Sequence, residues 1–257
     1  MQIERYAEGH FCWADLATPD PEAAHAFYGD LFGWSTQPLD DDHPPYLALA
    51  LDGRRVAGLR TRPPHTPAAW TAYANVRDLD RTLARATRRG AHVLDPPATI
   101  GSAARRAILA DPEGAAVGLW QADRLPGFEH VNAPGACIWN ELNARDPLGA
   151  QRFYAALFDW RFHKVPDNPA EYWAIRIPDG YNADGYNGGI LQMTDEWGDM
   201  PAHWITAFAV DDILAAAHRI RLAGGAVLAG PANAADGPFA VAADPHGAVF
   251  MVIQPPA

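Results

Sequence analysis

Two stretches of this chain are written from one pattern. Residues 20–34 read DPEAAHAFYGDLFGW and residues 146–160 read DPLGAQRFYAALFDW. Asp, Pro, Ala, Phe-Tyr, Leu-Phe and Trp return at unchanged spacing, 126 residues further on, from Asp20 to Asp146. A repeat that long describes two like domains, because solenoid units run to about 20–50 residues. The spacing inside each copy predicts a helix: Asp is a favoured N-cap and Pro a favoured first helical residue. Ala24, Phe27, Tyr28, Leu31 and Phe32 then make one apolar stripe that Gly33 ends.

The remaining segments follow the same order in both halves. Residues 11–18 alternate as a strand, with Trp13 and Asp15 on one face. Tyr46 to Leu51 and Arg55 to Leu59 read as a hairpin around Asp52-Gly53, and Thr71 to Val76 as another strand. Asp78 caps a helix that closes by Gly90, and the turn Asp111-Pro112-Glu113-Gly114 leads into a closing strand, 115–121. Each half is thus two successive βαβββ units, an α+β arrangement; in the first half they run from Phe11 to about Arg62 and from Trp70 to Gln121. In the second half Cys137 to Asn143 is the first strand, Trp204 to Val210 matches Thr71 to Val76, and Asp244-Pro245-His246-Gly247 matches the earlier turn. Residues 180–189, GYNADGYNGG, replace the tight Asp52-Gly53 turn with a glycine-rich loop carrying Tyr181, Tyr186 and Asn187, followed by a return strand 190–193. Residues 124–133 hold no periodic pattern. We therefore expect domains at 1–123 and 134–257 with a linker between them.

Composition narrows the functional classes. The formal net charge of −11 argues against nucleic acid and anionic membrane surfaces as partners, since both want a basic face. Residues 1–20 contain no apolar signal-peptide core, and no run approaches membrane-spanning length, so a cytoplasmic protein is expected. Cys12 and Cys137, the only cysteines, sit in apolar strands and read as buried, inert thiols. Nine tryptophans suit either a core or a pocket for a flat organic ligand. No GxSxG, dinucleotide or phosphate-loop motif is present.

The FYGDLFGW segment after a strand, and a DPEG or DPHG turn leading into a closing strand, each found twice, resemble the vicinal oxygen chelate superfamily, which includes glyoxalase I, bleomycin-resistance proteins and extradiol dioxygenases. The resemblance implies two curved mixed sheets, each wrapping a cavity, and tandem relatives associated with antibiotic pathways. It also implies where metal ligands would stand: seven residues before each helix-capping Asp, and seven after the Asp of each DPxG turn. Those places hold Trp13, Thr71 and Gly118 in the first half and Trp139, Ile205 and Met251 in the second. Divalent metal sites want His, carboxylate or thiolate, so no metal and no cofactor is expected.

The vacated cavities then look aromatic. Trp13 and Trp139 either clamp a planar ligand or plug the lost centre. Asp15 and Glu141 share their faces, as ligand or acid–base groups or as partners of a nearby Arg. Thr71, Ile205, Met251, Tyr186 and Trp120 of the first closing strand complete the candidate ligand-binding set. His203, two residues before Ile205, completes an acid–base set with Glu141 and Asp15, or is a surface histidine. Three functions follow: a metal-free binder of a planar or hydrophobic small molecule; a metal-independent isomerase, cyclase, lyase or hydroxylase; and a glyoxalase-type lyase with its metal elsewhere. The partner is a small molecule, and a monomer or homodimer is expected.

Overall fold

The computed structural model describes residues 5–39, 46–166, 170–177, 185–234 and 237–256. The order in the first half is β1 (Phe11–Thr18), α1 (Pro21–Phe32), β2 (Ser35–Pro38), β3 (Tyr46–Leu51), β4 (Arg54–Thr61), β5 (Ala69–Asn75), α2 (Leu79–Thr87), β6 (His92–Ile100), β7 (Ala104–Ala110) and β8 (Ala116–Ala122). The second half repeats it: β9 (Cys137–Ala144), α3 (Pro147–Phe158), β10 (Arg161–Lys164), β11 (Tyr172–Arg176), β12 (Tyr186–Gln192), β13 (His203–Ala209), α4 (Ile213–Leu222), β14 (Ala226–Ala234), β15 (Gly237–Ala243) and β16 (Val249–Ile253).

Each half closes on one eight-stranded mixed sheet, ordered β2-β3-β4-β1-β5-β8-β7-β6 and β10-β11-β12-β9-β13-β16-β15-β14. The two βαβββ units of a half join through antiparallel β1–β5 or β9–β13, while β1–β4, β5–β8 and their repeats are parallel. The four-residue edge strands β2 and β10 and the longer edge strand β14 carry little apolar periodicity, and the sequence pattern did not reveal them. Pro96 and Pro97 inside β6 suit an edge strand, where a missing N–H costs no ladder bond.

The helices begin where the pattern placed them. Asp20 accepts from Ala23 N at 3.0 Å and Asp146 from Gly149 N at 2.8 Å, satisfying helix-start donors. Gly33 ends α1 in the left-handed conformation, and Asp159 does the same for α3. The helices pair across the halves, α1 with α4 and α2 with α3. Arg85 of α2 donates to Ala156 O and Leu157 O at the end of α3, and Arg219 of α4 reaches Leu31 O at the end of α1. A cation at a helix C-terminus meets unpaired carbonyls and the negative end of the dipole.

The repeated motif residues join the halves. Tyr28 donates to Asp244 Oδ2 (3.2 Å) and accepts from Trp70 Nε1 (2.8 Å); Tyr154 donates to Asp111 Oδ2 (2.9 Å) and accepts from Trp204 Nε1 (2.8 Å). Trp34 donates to Gly135 O and Trp160 to Gly9 O. So the Tyr of one half's first helix grips the DPxG turn of the other, in both directions. Residues 124–133, expected as a linker, are packed: Phe128 N donates to Cys12 O, Tyr6 donates to Phe128 O, and Leu125 and Phe128 are buried. Burial raises the pKa of both thiols, that of Cys137 to about 12. No helix among the described residues is long and apolar enough to cross a membrane.

Candidate functional site

The sheet face turned away from the helices is the one on which Trp13 and Asp15, or Trp139 and Glu141, stand two residues apart. In the first half this face is filled. Trp13, Tyr73 and Trp120 are fully buried and pack together, Trp13 against Trp120 with centroids 5.7 Å apart and against Phe128 at 5.5 Å. Trp13 Nε1 donates to Tyr46 Oη (2.9 Å), and both Tyr46 (3.1 Å) and Tyr73 (2.8 Å) donate to Asp15 Oδ2. Arg60 Nε sits 3.2 Å from the same carboxylate, and Asp95 joins Arg106 at 2.7 Å. Asp15 is wholly enclosed, charge-paired and hydrogen-bonded, as a buried carboxylate must be. Thr71, opposite Asp15 on β5, is also buried. Asp15 is thus paired to an Arg, and Trp13 and Trp120 are enclosed in the packing of the first half.

The second half keeps the frame and empties it. Trp139 Nε1 donates to Tyr172 Oη at 2.9 Å, repeating Trp13–Tyr46, and Tyr172 hydrogen-bonds Glu141. Both tyrosines lie flat over a strand glycine, Gly58 or Gly189, where a Cβ would collide with the hydroxyl. Register identifies the other counterparts. Tyr73 pairs with Gly118 in the first sheet; Ala207 pairs with Met251 in the second. Arg106 stands opposite Trp120, and Phe239 opposite Ile253. Arg60 faces Tyr46 where Leu191 faces Tyr172, and Asp95 faces Ile108 where Ala229 faces Val241. Every charged partner of the first carboxylate is thereby replaced by an apolar residue. Trp139, Glu141, Tyr172, Phe239, Val241 and Ile253 are all partly exposed, over a buried floor of Ile205, Ala207 and Met251.

Glu141 therefore stands partly exposed on an apolar wall. Desolvation raises its pKa from 4.5 to about 7, against the lowering effect of the Tyr172 hydrogen bond. Of the candidate acid–base set, Asp15 spends its hydrogen bonds and its charge on Tyr46, Tyr73 and Arg60 of the first half. His203 shares the sheet face but is engaged elsewhere: Nδ1 is 2.9 Å from Pro201 O and Nε2 3.3 Å from Asn143 Nδ2. Since Nδ1 must donate to that carbonyl, Nε2 accepts from Asn143.

Tyr186 and Asn187, expected in a glycine-rich loop, belong to β12. Asn187 Oδ1 accepts from Phe11 N (2.9 Å) and its Nδ2 donates to Gly9 O (3.1 Å), so it ties the halves. Tyr186 is 39% exposed, 6.4 Å from the Trp139 ring, with Arg176 over its face. Glycines misled the loop reading: Gly189 makes room for Tyr172, and Gly188, at φ 143°, for the Asn140 carbonyl. Tyr181 lies outside the described residues. Beside Trp139 and Tyr186 a cavity of about 40 Å³ runs toward Phe128 and Asn187, room for a water or two. Sequence reasoning missed Tyr172, Phe239 and Asn143; the Tyr46–Tyr172 spacing of 126, equal to that of the motif, was the available signal for the first.

The places that the resemblance assigns to metal ligands carry no donor set in either half, and no three His, Cys, Asp or Glu side chains converge among the described residues. The profile of the family described as "Glyoxalase-like domain" matches residues 13–119 and again 139–253. The chain is 37% identical to the "Putative glyoxylase CFP32" of Mycobacterium bovis, over 97% of this chain and 96% of that one. It is 32% identical to the "Anthracycline biosynthesis protein DnrV" of Streptomyces peucetius, over 98% and 95%. In fold it is similar to the Mn(II)-bound glyoxalase of Novosphingobium aromaticivorans (TM-score 0.64, 18% identity, 96% of this chain and 83% of that one). It is also similar to the 2,3-dioxygenase LapB of Pseudomonas sp. KL28 (TM-score 0.64, 15% identity, 98% and 94%). A duplicated βαβββ sheet with a DPxG turn before each closing strand, matched twice by one family profile, makes this chain a member of the glyoxalase-like domain family.

Proposed function

We propose that this protein binds a small, planar, largely apolar organic molecule on the inner face of its second half, without a metal. One observation carries the reading: the same scaffold is plugged in one half and open in the other. Tyr73 and Trp120 fill the first face, whereas Ala207 and Ile253 stand at the equivalent places of the second. Trp139, Phe239, Ile205 and Met251 then offer aromatic and aliphatic walls of the kind small-molecule sites use. The relatives named for anthracycline biosynthesis support a place in natural-product chemistry. Asp15, Trp13 and Trp120 serve the stability of the first half.

The test is to rebuild the plug. Ala207→Tyr with Met251→Gly restores the first half's Tyr–Gly pair in the second. Titration of a neutral planar dye such as Nile red should saturate at one site on the native protein and fail on the double variant, while far-UV circular dichroism stays the same. Equal binding by both proteins would refute the reading, as would stoichiometric zinc, nickel, manganese or iron in the purified protein whose removal abolishes binding.

A second reading, a metal-independent isomerase, cyclase, lyase or hydroxylase, is favoured by Glu141 alone, because a carboxyl raised to about 7 suits proton transfer near neutral pH. It predicts turnover that Glu141→Gln removes. A glyoxalase-type lyase is disfavoured by the donor set, since Trp139, Ile205 and Met251 cannot polarise an oxygen through a metal.

A further inference from the structure

We infer that the ligand of the second half is a neutral hydroxyarene, held by donating its O–H to Glu141. The inference rests on the binding-site reading above and adds the chemistry of recognition. On this face the strand offers acceptors. Tyr172 accepts from Trp139 and gives its own proton to Glu141, so it has no proton left to donate to a ligand, while a carboxyl group has further acceptor sites. Two residues along β9 on the same face, Asn143 is buried, and its Oδ1 has no hydrogen-bond partner. Its orientation follows from the neighbouring histidine: His203 Nδ1 donates to Pro201 O, Nε2 accepts from Asn143 Nδ2, and the amide oxygen is left over. An acceptor without a donor is costly when buried, and a ligand that brings donors relieves it.

Charge argues against an anion. The first half holds its carboxylate with Arg60, and keeps Arg106, paired to Asp95, on the same face; their counterparts here are Leu191 and Phe239. Arg176 lies at the opposite end of β11 from Tyr172, over the Tyr186 ring. A carboxylate or phosphate ligand would meet Glu141 with no cation paired to it among the described residues. The apolar walls meanwhile favour a flat hydrocarbon body, which leaves a weakly acidic hydroxyl on an arene as the group that fits.

Calorimetric titration of the full chain at neutral pH with 2-naphthol, its methyl ether and 2-naphthoate tests this. The expected result is that naphthol binds and that the ether and the carboxylate bind at least about tenfold more weakly, because a site built for a hydroxyl rejects the analogue that lacks one. In Glu141→Leu, which removes the acceptor and leaves an apolar wall, the gap between naphthol and ether should close. Equal affinities for naphthol and ether in the native protein would overturn the hydroxyl pairing while leaving the planar-ligand reading intact. Preference for naphthoate would overturn the charge argument. Binding of none of the three, alongside failure of the dye titration, would remove the site reading and this inference together.

Discussion

At the residue scale, Glu141 and Asp15 make a natural control for one another. Both stand on the first strand of a half, two residues after a tryptophan that donates to a tyrosine. Asp15 is neutralised by Arg60 and two phenolic donors; Glu141 keeps one phenol, Tyr172, but has lost the Arg and the second phenol, and desolvation raises its pKa to about 7. The sign of the linkage is fixed. Between pH 4.5 and 7 the unfolded chain ionises this residue before the folded one does, so folding stability falls as pH rises through that window. The full effect is at most about 3 kcal/mol, since each tenfold change in proton affinity is worth roughly 1.4 kcal/mol, and the partial exposure of Glu141 reduces it. Urea unfolding across pH 4–8 should show that decline in the native protein and a flatter profile in Glu141→Gln. The sequence already singled out Glu141 by its place beside Trp139. What separated it from Asp15 was invisible there, because Arg60 reaches Asp15 from a strand 45 residues away in the chain.

At the element scale, the glycines of β4 and β12 shape the site. Gly189 lies beneath the Tyr172 ring, and a Cβ there would collide with the hydroxyl that links Trp139 to Glu141. Gly189→Ala should displace Tyr172, cost about 1–3 kcal/mol in thermal or urea unfolding, and weaken dye binding. Gly58→Ala should cost a similar amount through Tyr46 without affecting the second-half site. Helices were legible from caps and stripes because both are local: Asp20 and Asp146 bond amides three residues on. β12 was legible only in part. Its glycines answer to Tyr172 and Asn140 on neighbouring strands, and glycine in a sequence signals a turn before it signals close approach.

At the scale of the whole molecule, the halves are held by reciprocal latches. Tyr154 joins Asp111 to Trp204, and Tyr28 joins Asp244 to Trp70. Tyr154→Phe strands a buried carboxylate oxygen and an indole N–H, so about 2 kcal/mol of stability should be lost. Because the helix pairs α1–α4 and α2–α3 cross between halves, calorimetric unfolding should remain a single transition in the native protein. Two separable transitions would contradict the latch.

The chain order of strands and helices, the twofold repetition and the helix caps were written in the sequence, since each depends on neighbours within about a turn or a hairpin. So was the identity of Trp139, Ile205 and Met251 at the places that the resemblance assigns to metal ligands, because that depends only on residue type. Tertiary structure decided which half is closed and which open. That choice rests on cross-strand partners, Tyr73 over Gly118 against Ala207 beside Met251, which only the sheet brings together.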